Sequence, residues 1–241
     1  MKIKLFTIPN LLTLSNLFCG SVAVVSALVW GDLKLAFGLM VLAAVFDFFD
    51  GFAARLLNQS SPIGLQLDSL ADDISFGLAP AAIMYSLYQW MPGIWLPEGY
   101  PGLVVFVFTA CAALRLAKFN IDETQHTEFC GLPTPANALF FVALGWMDAK
   151  TGFNQGGWVL LMVPAMSWLL ISPVRMFAFK FQSFAFKGNE IRYIFIALAV
   201  VLLVALGIPA VPIVILLYIA ISAVGWGMSL KKPGSAACPE K

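Results

Sequence analysis

Four aspartates, Asp47, Asp50, Asp68 and Asp72, sit inside one of the most apolar stretches of this chain. A bare carboxylate at membrane depth costs on the order of 3 kcal/mol by insertion scales. Four together need positive charge between them, and Arg55 is the only basic residue from 47 to 72. Carboxylate oxygens suit hard divalent cations such as Mg²⁺ or Mn²⁺. Four carboxylates roughly neutralise two such ions, and two ions about 4 Å apart clamp the attacking and leaving oxygens of a phosphoryl displacement. No histidine or cysteine lies within 47–72, which argues against zinc. Arg55 adds a forked donor for phosphate oxygens. Gly51 and Gly64 remove side-chain bulk where a phosphate must approach the backbone.

Two helices must position these groups. Each helical residue turns by about 100°, so Asp47, Asp50, Gly51, Ala54 and Arg55 fall on one face. Gly64, Asp68 and Asp72, spaced i, i+4, i+8, share one face of the next span. A short loop joins the two, so antiparallel neighbours with opposed acid faces are expected. Asp73 points elsewhere, toward a rim or a neighbouring helix. On the first helix Thr13, Asn16 and Gly20 fall at i, i+3, i+7, a face able to turn toward the same cavity. Helix–helix hydrogen bonding is an equally good reading of Thr13 and Asn16.

The whole chain fits a membrane setting. Of 241 residues 61% are hydrophobic and only 11% charged, against about 25% charged in an average soluble domain. A net charge of +1 gives no electrostatic case for nucleic acid. No stretch of soluble composition is long enough for a second domain, so residues 1–241 read as one membrane-embedded unit. Cys19, Cys111, Cys130 and Cys238 show no pairing pattern, and neither a disulfide nor a zinc site is expected. The tail from Cys238 is not a prenylation box. Lys2 and Lys4 before an apolar run resemble a signal peptide, but the run is long and lacks a small-residue cleavage site, so a retained helix is expected.

Eight apolar runs approach spanning length: 9–30, 35–57, 63–90, 101–119, 133–149, 157–172, 191–207 and 209–230. The runs at 133–149 and 157–172 are short, leaving six as the minimum. With the N-terminus in the cytoplasm, twelve Lys and Arg residues lie inside and only Lys34 and Lys150 outside. The expectation is an all-α polytopic bundle in the plasma (inner) membrane, both termini cytoplasmic, with the acids in the cytoplasmic half. Segment 173–190 alternates Phe with Lys and Gln, and reads either as an interfacial amphipathic piece or as a plain loop. His126, the sole histidine, lies in a polar loop and reads as a solvated residue.

The pattern D47-x-x-D50-G51-x-x-A54-R55, eight residues, G64-x-x-x-D68-x-x-x-D72 resembles the signature of the CDP-alcohol phosphatidyltransferases. Every fixed position is present at its spacing. The segments D68-S-L-A-D-D-I-S-F-G-L-A-P80, A113-L-R-L-A-K-F-N120 and G131-L-P-T-P-A-N137, with the opening I8-P-N-L-L-T-L-S-N-L-F-C-G20, look like the phosphatidylserine synthase branch. The likeness runs from about residue 8 to about 145, and Asp73 stands where an apolar residue is expected. The resemblance implies a bundle of at least six helices around a cytoplasm-facing polar cavity, usually a homodimer. It implies transfer of a phosphatidyl group from CDP-diacylglycerol to an alcohol, releasing CMP. Carried over, Asp47, Asp50, Asp68 and Asp72 bind two Mg²⁺ or Mn²⁺ ions, and Asp72 is the candidate general base. Gly51, Ala54 and Arg55 bind or pack against the CDP pyrophosphate, with Thr13 and Asn16 near the nucleotide.

Serine, the acceptor implied, brings a carboxylate and an ammonium. Arg115, Lys118 and Asn120, within an acceptor-side region spanning 113–137, offer two cations and an amide near a cytoplasmic helix end. Arg115 and Lys118, at i, i+3, share a side. Ordinary positive-inside charge explains them equally well. Other acceptors (glycerol phosphate, inositol or its phosphate, choline) remain alternatives. A divalent-cation transporter is a distant one, since its acids would be spread along a path rather than clustered at one depth.

Overall fold

The computed structural model describes residues 5–89, 101–121, 128–151, 156–177 and 189–229. Lys2, Lys4, His126, Cys238 and the greater part of 178–190 lie outside the described residues, as do the expected breaks at 91–100 and 152–155.

The first three helices start where the sequence supplies a cap. Thr7 accepts from the Asn10 backbone N–H and Pro9 sits in the first turn, opening α1 (Ile8–Val25). The rod continues as a π-helical turn, Ser26–Trp30, and stops at Gly31, whose φ of 66° is left-handed. Asp32 accepts from the N–H groups of Lys34 and Leu35 and starts α2 (Leu33–Leu56). Asn58, at φ 51°, turns the chain after it. Ser61 and Pro62 then open α3 (Pro62–Asp72). A π-helical segment, Asp73–Leu78, joins α3 to α4 (Ala79–Gln89) without a break.

A 3₁₀ segment, Pro101–Phe106, leads into α5 (Val107–Ile121). Then come α6 (Thr134–Thr151), α7 (Gly156–Ile171), α8 (Glu190–Leu206) and α9 (Ala210–Ser229). The helical rods coincide with the eight apolar runs to within a few residues, because both are bounded by the same Gly, Pro and capping positions. Among the described residues, four helical stretches are long and apolar enough to cross a membrane: Ile8–Trp30, Leu33–Leu56, Gly102–Ile121 and Ala210–Gly227. The rod from Pro62 to Gln89 has the length but carries Asp68, Asp72 and Asp73, and α8 is only 17 residues long.

Three expectations change. The chain is not purely helical: β1 (Glu128–Cys130) pairs antiparallel with β2 (Arg175–Phe177), Phe129 opposite Met176. The start of the 173–190 segment is thus a strand ladder rather than an interfacial helix. Gly131 follows at φ 79°, and a Cβ there would lie 2.3 Å from the Leu170 carbonyl oxygen, so only glycine fits. Cys130 is disulfide-bonded, while Cys19 and Cys111 are free. Short-range cysteine spacing says nothing about bridges between distant segments.

The third change concerns α2 and α3. They do not pack chiefly on each other; α1 packs along both. The acid faces of the two helices still meet, with carboxylate oxygens of Asp47, Asp50 and Asp68 within 4.8 Å of one another, while α1 packs alongside both helices. Gly20 makes this possible, since a Cβ there would lie 2.7 Å from the Ser75 Cα and closer still to its hydroxyl. Gly20 is therefore a packing residue. The apolar core lies elsewhere, around Met84, Phe108, Phe140, Phe141 and Leu170 on α4 to α7.

Candidate active site

The acids of α2 turn inward while Phe48, Phe49, Phe52 and Leu56 on the same helix are exposed, as a lipid-facing surface requires. Carboxylate oxygens of Asp47, Asp50 and Asp68 lie within 4.8 Å of one another. Oxygens bound at about 2.1 Å on opposite sides of one small divalent ion stand about 4.2 Å apart, so this donor set fits a hard cation. Asp72 is set deeper. It is buried, its carboxyl is in hydrogen-bond contact with that of Asp47, and it lies within electrostatic reach of Asp68.

Two α1 side chains hold the acids in place. The Thr13 hydroxyl donates to Asp50 Oδ2 at 2.6 Å, and the Asn16 amide donates to Asp72 Oδ1 at 3.2 Å. Both residues are fully packed, so the helix–helix reading of Thr13 and Asn16 applies, with the carboxylates themselves as partners. Ser75 in turn donates to the Asn16 carbonyl at 3.1 Å.

A cavity of about 230 Å³ opens from this cluster. Thr13, Asp50, Gly51, Ala54, Arg55, Gly64 and Asp68 all line it. A Cβ on Gly51 would meet nothing within 4 Å, so that wall is open. A Cβ on Gly64 would lie 3.2 Å from Asn10 Oδ1, so Gly64 also serves the approach of α3 to α1. Arg55 is exposed at the mouth. Asn10, Gln59, Ser60 and Ser61 line the cavity too and were missed. Carrying the Thr13–Asn16 face back one turn reaches Asn10; the loop residues carry no comparable signal. Asp73 is half-buried, with one carboxylate oxygen enclosed and without a hydrogen bond.

The acceptor-side residues separate. Arg115 is 8% exposed and donates from Nη1 to Thr134 Oγ1 at 2.9 Å. Its Nε makes no hydrogen bond, and Asp72 and Tyr218 lie within its electrostatic reach. Lys118 is exposed and does not share this position. Three residues along a helix still differ by about 60°, enough to cross the edge of a buried face. Asn120 donates to Ser69 Oγ at 2.8 Å, tying α5 to α3. Thr134 and Tyr218 were not singled out by the sequence reading.

The model of the family described as CDP-alcohol phosphatidyltransferase matches residues 6–226. The chain belongs to that family. Among curated relatives, a CDP-diacylglycerol–serine O-phosphatidyltransferase of Mycobacterium tuberculosis is 35% identical over 188 residues, covering 72% of this chain and 62% of the relative. Proteins of the same name from Bacillus subtilis and Helicobacter pylori are 33% and 32% identical, covering 72% and 82% of this chain and 91% and 83% of theirs. The chain thus spans under two thirds of the length of the mycobacterial relative and most of the other two. As a CDP-alcohol phosphatidyltransferase family member it carries its four clustered aspartates on two helices, α2 and α3, with α1 steadying the carboxylates of Asp50 and Asp72.

Proposed function

We propose that this protein transfers a phosphatidyl group from CDP-diacylglycerol to the hydroxyl of L-serine, giving phosphatidylserine and CMP. The observation that carries the reading is the three-carboxylate cluster, two of whose members, Asp50 and Asp68, line a cavity that Arg55 also lines. Serine as acceptor is supported by the names of the relatives and by a buried arginine, Arg115, within electrostatic reach of Asp72.

Asp47, Asp50, Asp68 and Asp72 would hold two Mg²⁺ or Mn²⁺ ions, which would supply positive charge to stabilise the diphosphate. Arg55 takes a phosphate oxygen at the cavity mouth, and the open wall at Gly51 lets the diphosphate approach backbone. Ala54, beside them, keeps that wall low. Thr13 and Asn16 fix two of the four carboxylates rather than read the nucleotide.

The serine hydroxyl attacks the phosphorus that carries diacylglycerol. A new P–O bond forms to serine, the anhydride P–O bond to CMP breaks, and CMP leaves with the electron pair. Asp72 accepts the hydroxyl proton, because a free alcohol is a weak nucleophile at neutral pH. Arg115 binds the serine carboxylate through its Nε, while Thr134 holds Nη1. Lys118 and Asn120 take no direct part. The rest is positioning and charge stabilisation.

The protein is a single membrane-embedded domain of about eight spans, works as a homodimer in the plasma membrane, and opens its cavity to the cytoplasm. The lysine and arginine distribution supports that orientation, and the resemblance supports the dimer. Purified protein given CDP-diacylglycerol, Mn²⁺ and a panel of labelled alcohols should release CMP with serine and label no lipid with glycerol phosphate, inositol or choline. CMP release with another alcohol and not with serine would reassign the acceptor.

A further inference from the structure

A second cavity, of about 290 Å³, lies far from the acids in sequence and shares no lining residue with the first. It sits at the open end of the α8–α9 hairpin, opposite the tight connection at 207–209. Its walls are β2, the first turn of α8 and the last turns of α9. Arg175 and Arg192 face it against one carboxylate, Glu190, so the ionisable lining is net positive. Arg192 donates to Asn189 Oδ1 at 2.6 Å, which fixes one guanidinium at the rim.

Ser222 lines the same space, is 4% exposed, and its hydroxyl makes no hydrogen bond. A buried hydroxyl without a partner costs about 1–3 kcal/mol, so this one points to a polar ligand. Trp226, also on the lining, lies near the end of α9, where indoles of membrane proteins commonly meet head groups. From the rim an apolar stripe runs along α8: Ile191, Ile194, Leu198 and Val201, at i, i+3, i+7, i+10, are all exposed.

We propose that this cavity binds the phosphate headgroup of an anionic phospholipid, with an acyl chain laid along the α8 stripe. Two guanidiniums and a serine hydroxyl suit phosphate oxygens. A free phosphate would satisfy the same polar groups, but the apolar stripe that begins at the rim favours a phosphate carrying hydrocarbon. The site is independent of the transfer reaction.

The test uses the full-length protein in phosphatidylcholine nanodiscs containing a minor fraction of phosphatidylglycerol, with co-purifying lipid counted by native mass spectrometry. Phosphatidylglycerol should be retained in preference to phosphatidylcholine. Arg175→Gln with Arg192→Gln should lower that retention about tenfold or more, since each basic residue near a membrane surface contributes on the order of 1 kcal/mol. Ser222→Leu keeps both charges, fills the cavity and should have the same direction of effect; melting curves separate lost binding from lost folding. Arg55→Gln, in the other cavity, should leave retention unchanged. Equal retention of the two lipids, or retention that survives both the double variant and Ser222→Leu, would overturn the proposal. So would protection by inorganic phosphate without any preference between lipids.

Discussion

The acid cluster on α2 and α3 and the polar residues of α5 are built from the same material, polar side chains on apolar helices, yet they behave differently. On α2 and α3 the residues that share a helical face also share a site: Asp47, Asp50 and Asp68 converge to within 4.8 Å. On α5 three polar residues within six positions meet three different fates. Arg115 is buried and bonded to Thr134, Lys118 is exposed, and Asn120 is spent tying α5 to Ser69. The difference is one of necessity. Like charges in oil must converge on a common counterion, so their spacing is dictated by that ion. A lysine near a helix end has water and head groups within reach and needs no partner.

The largest expected effect is on the acid cluster. Asp50→Asn or Asp68→Asn should lower the transfer rate about a thousandfold, since a bound cation supplies several kcal/mol of charge stabilisation. Radiolabelled serine incorporation measures it, and melting curves check the fold. Near-normal rates would place the acid cluster on the same footing as α5. Next, Arg115→Gln should raise KM for serine about tenfold or more with a smaller change in kcat, because a hydrogen bond to a charged group contributes about 1.5–3 kcal/mol. An unchanged KM would make Arg115 a structural residue. Thr13→Val removes the donor to Asp50 and should weaken Mn²⁺ binding about tenfold, as loss of outer-shell partners does. Titration of Mn²⁺ reads this directly. At the small end, Lys118→Ala should change kcat/KM for serine by less than about twofold, as for a surface residue.

Much of this was legible because apolar runs, capping residues and helical phase are local properties. The Ser61-Pro62 start of α3 and the Gly31 stop before α2 bracket the rods that the hydropathy pattern proposes. Phase along one helix then puts Asp47, Asp50 and Arg55 on one side. What stayed hidden depends on contacts between helices. The close seating of α1 against the π-helical segment after α3 turns on the missing Cβ of Gly20 against Ser75. The π-helical segment Asp73–Leu78 changes the phase below Asp72, which a fixed turn per residue does not anticipate. The β1–β2 ladder joins three-residue strands some 45 positions apart, too short to carry an alternating signal. Tyr218 reaches the neighbourhood of Arg115 from α9, about a hundred residues away in sequence, while its own hydroxyl donates to the Phe177 carbonyl at 2.8 Å.

The central claim is that the clustered carboxylates are held in an apolar helix bundle by paired divalent ions. Electron paramagnetic resonance of Mn²⁺ titrated into the purified protein tests it most directly. Two bound ions with the dipolar broadening expected of metals about 4 Å apart, both weakened in Asp50→Asn, is the result the account predicts. Full transfer activity with no bound Mn²⁺ after chelation, or Mn²⁺ binding untouched by Asp50→Asn and Asp68→Asn together, would contradict it.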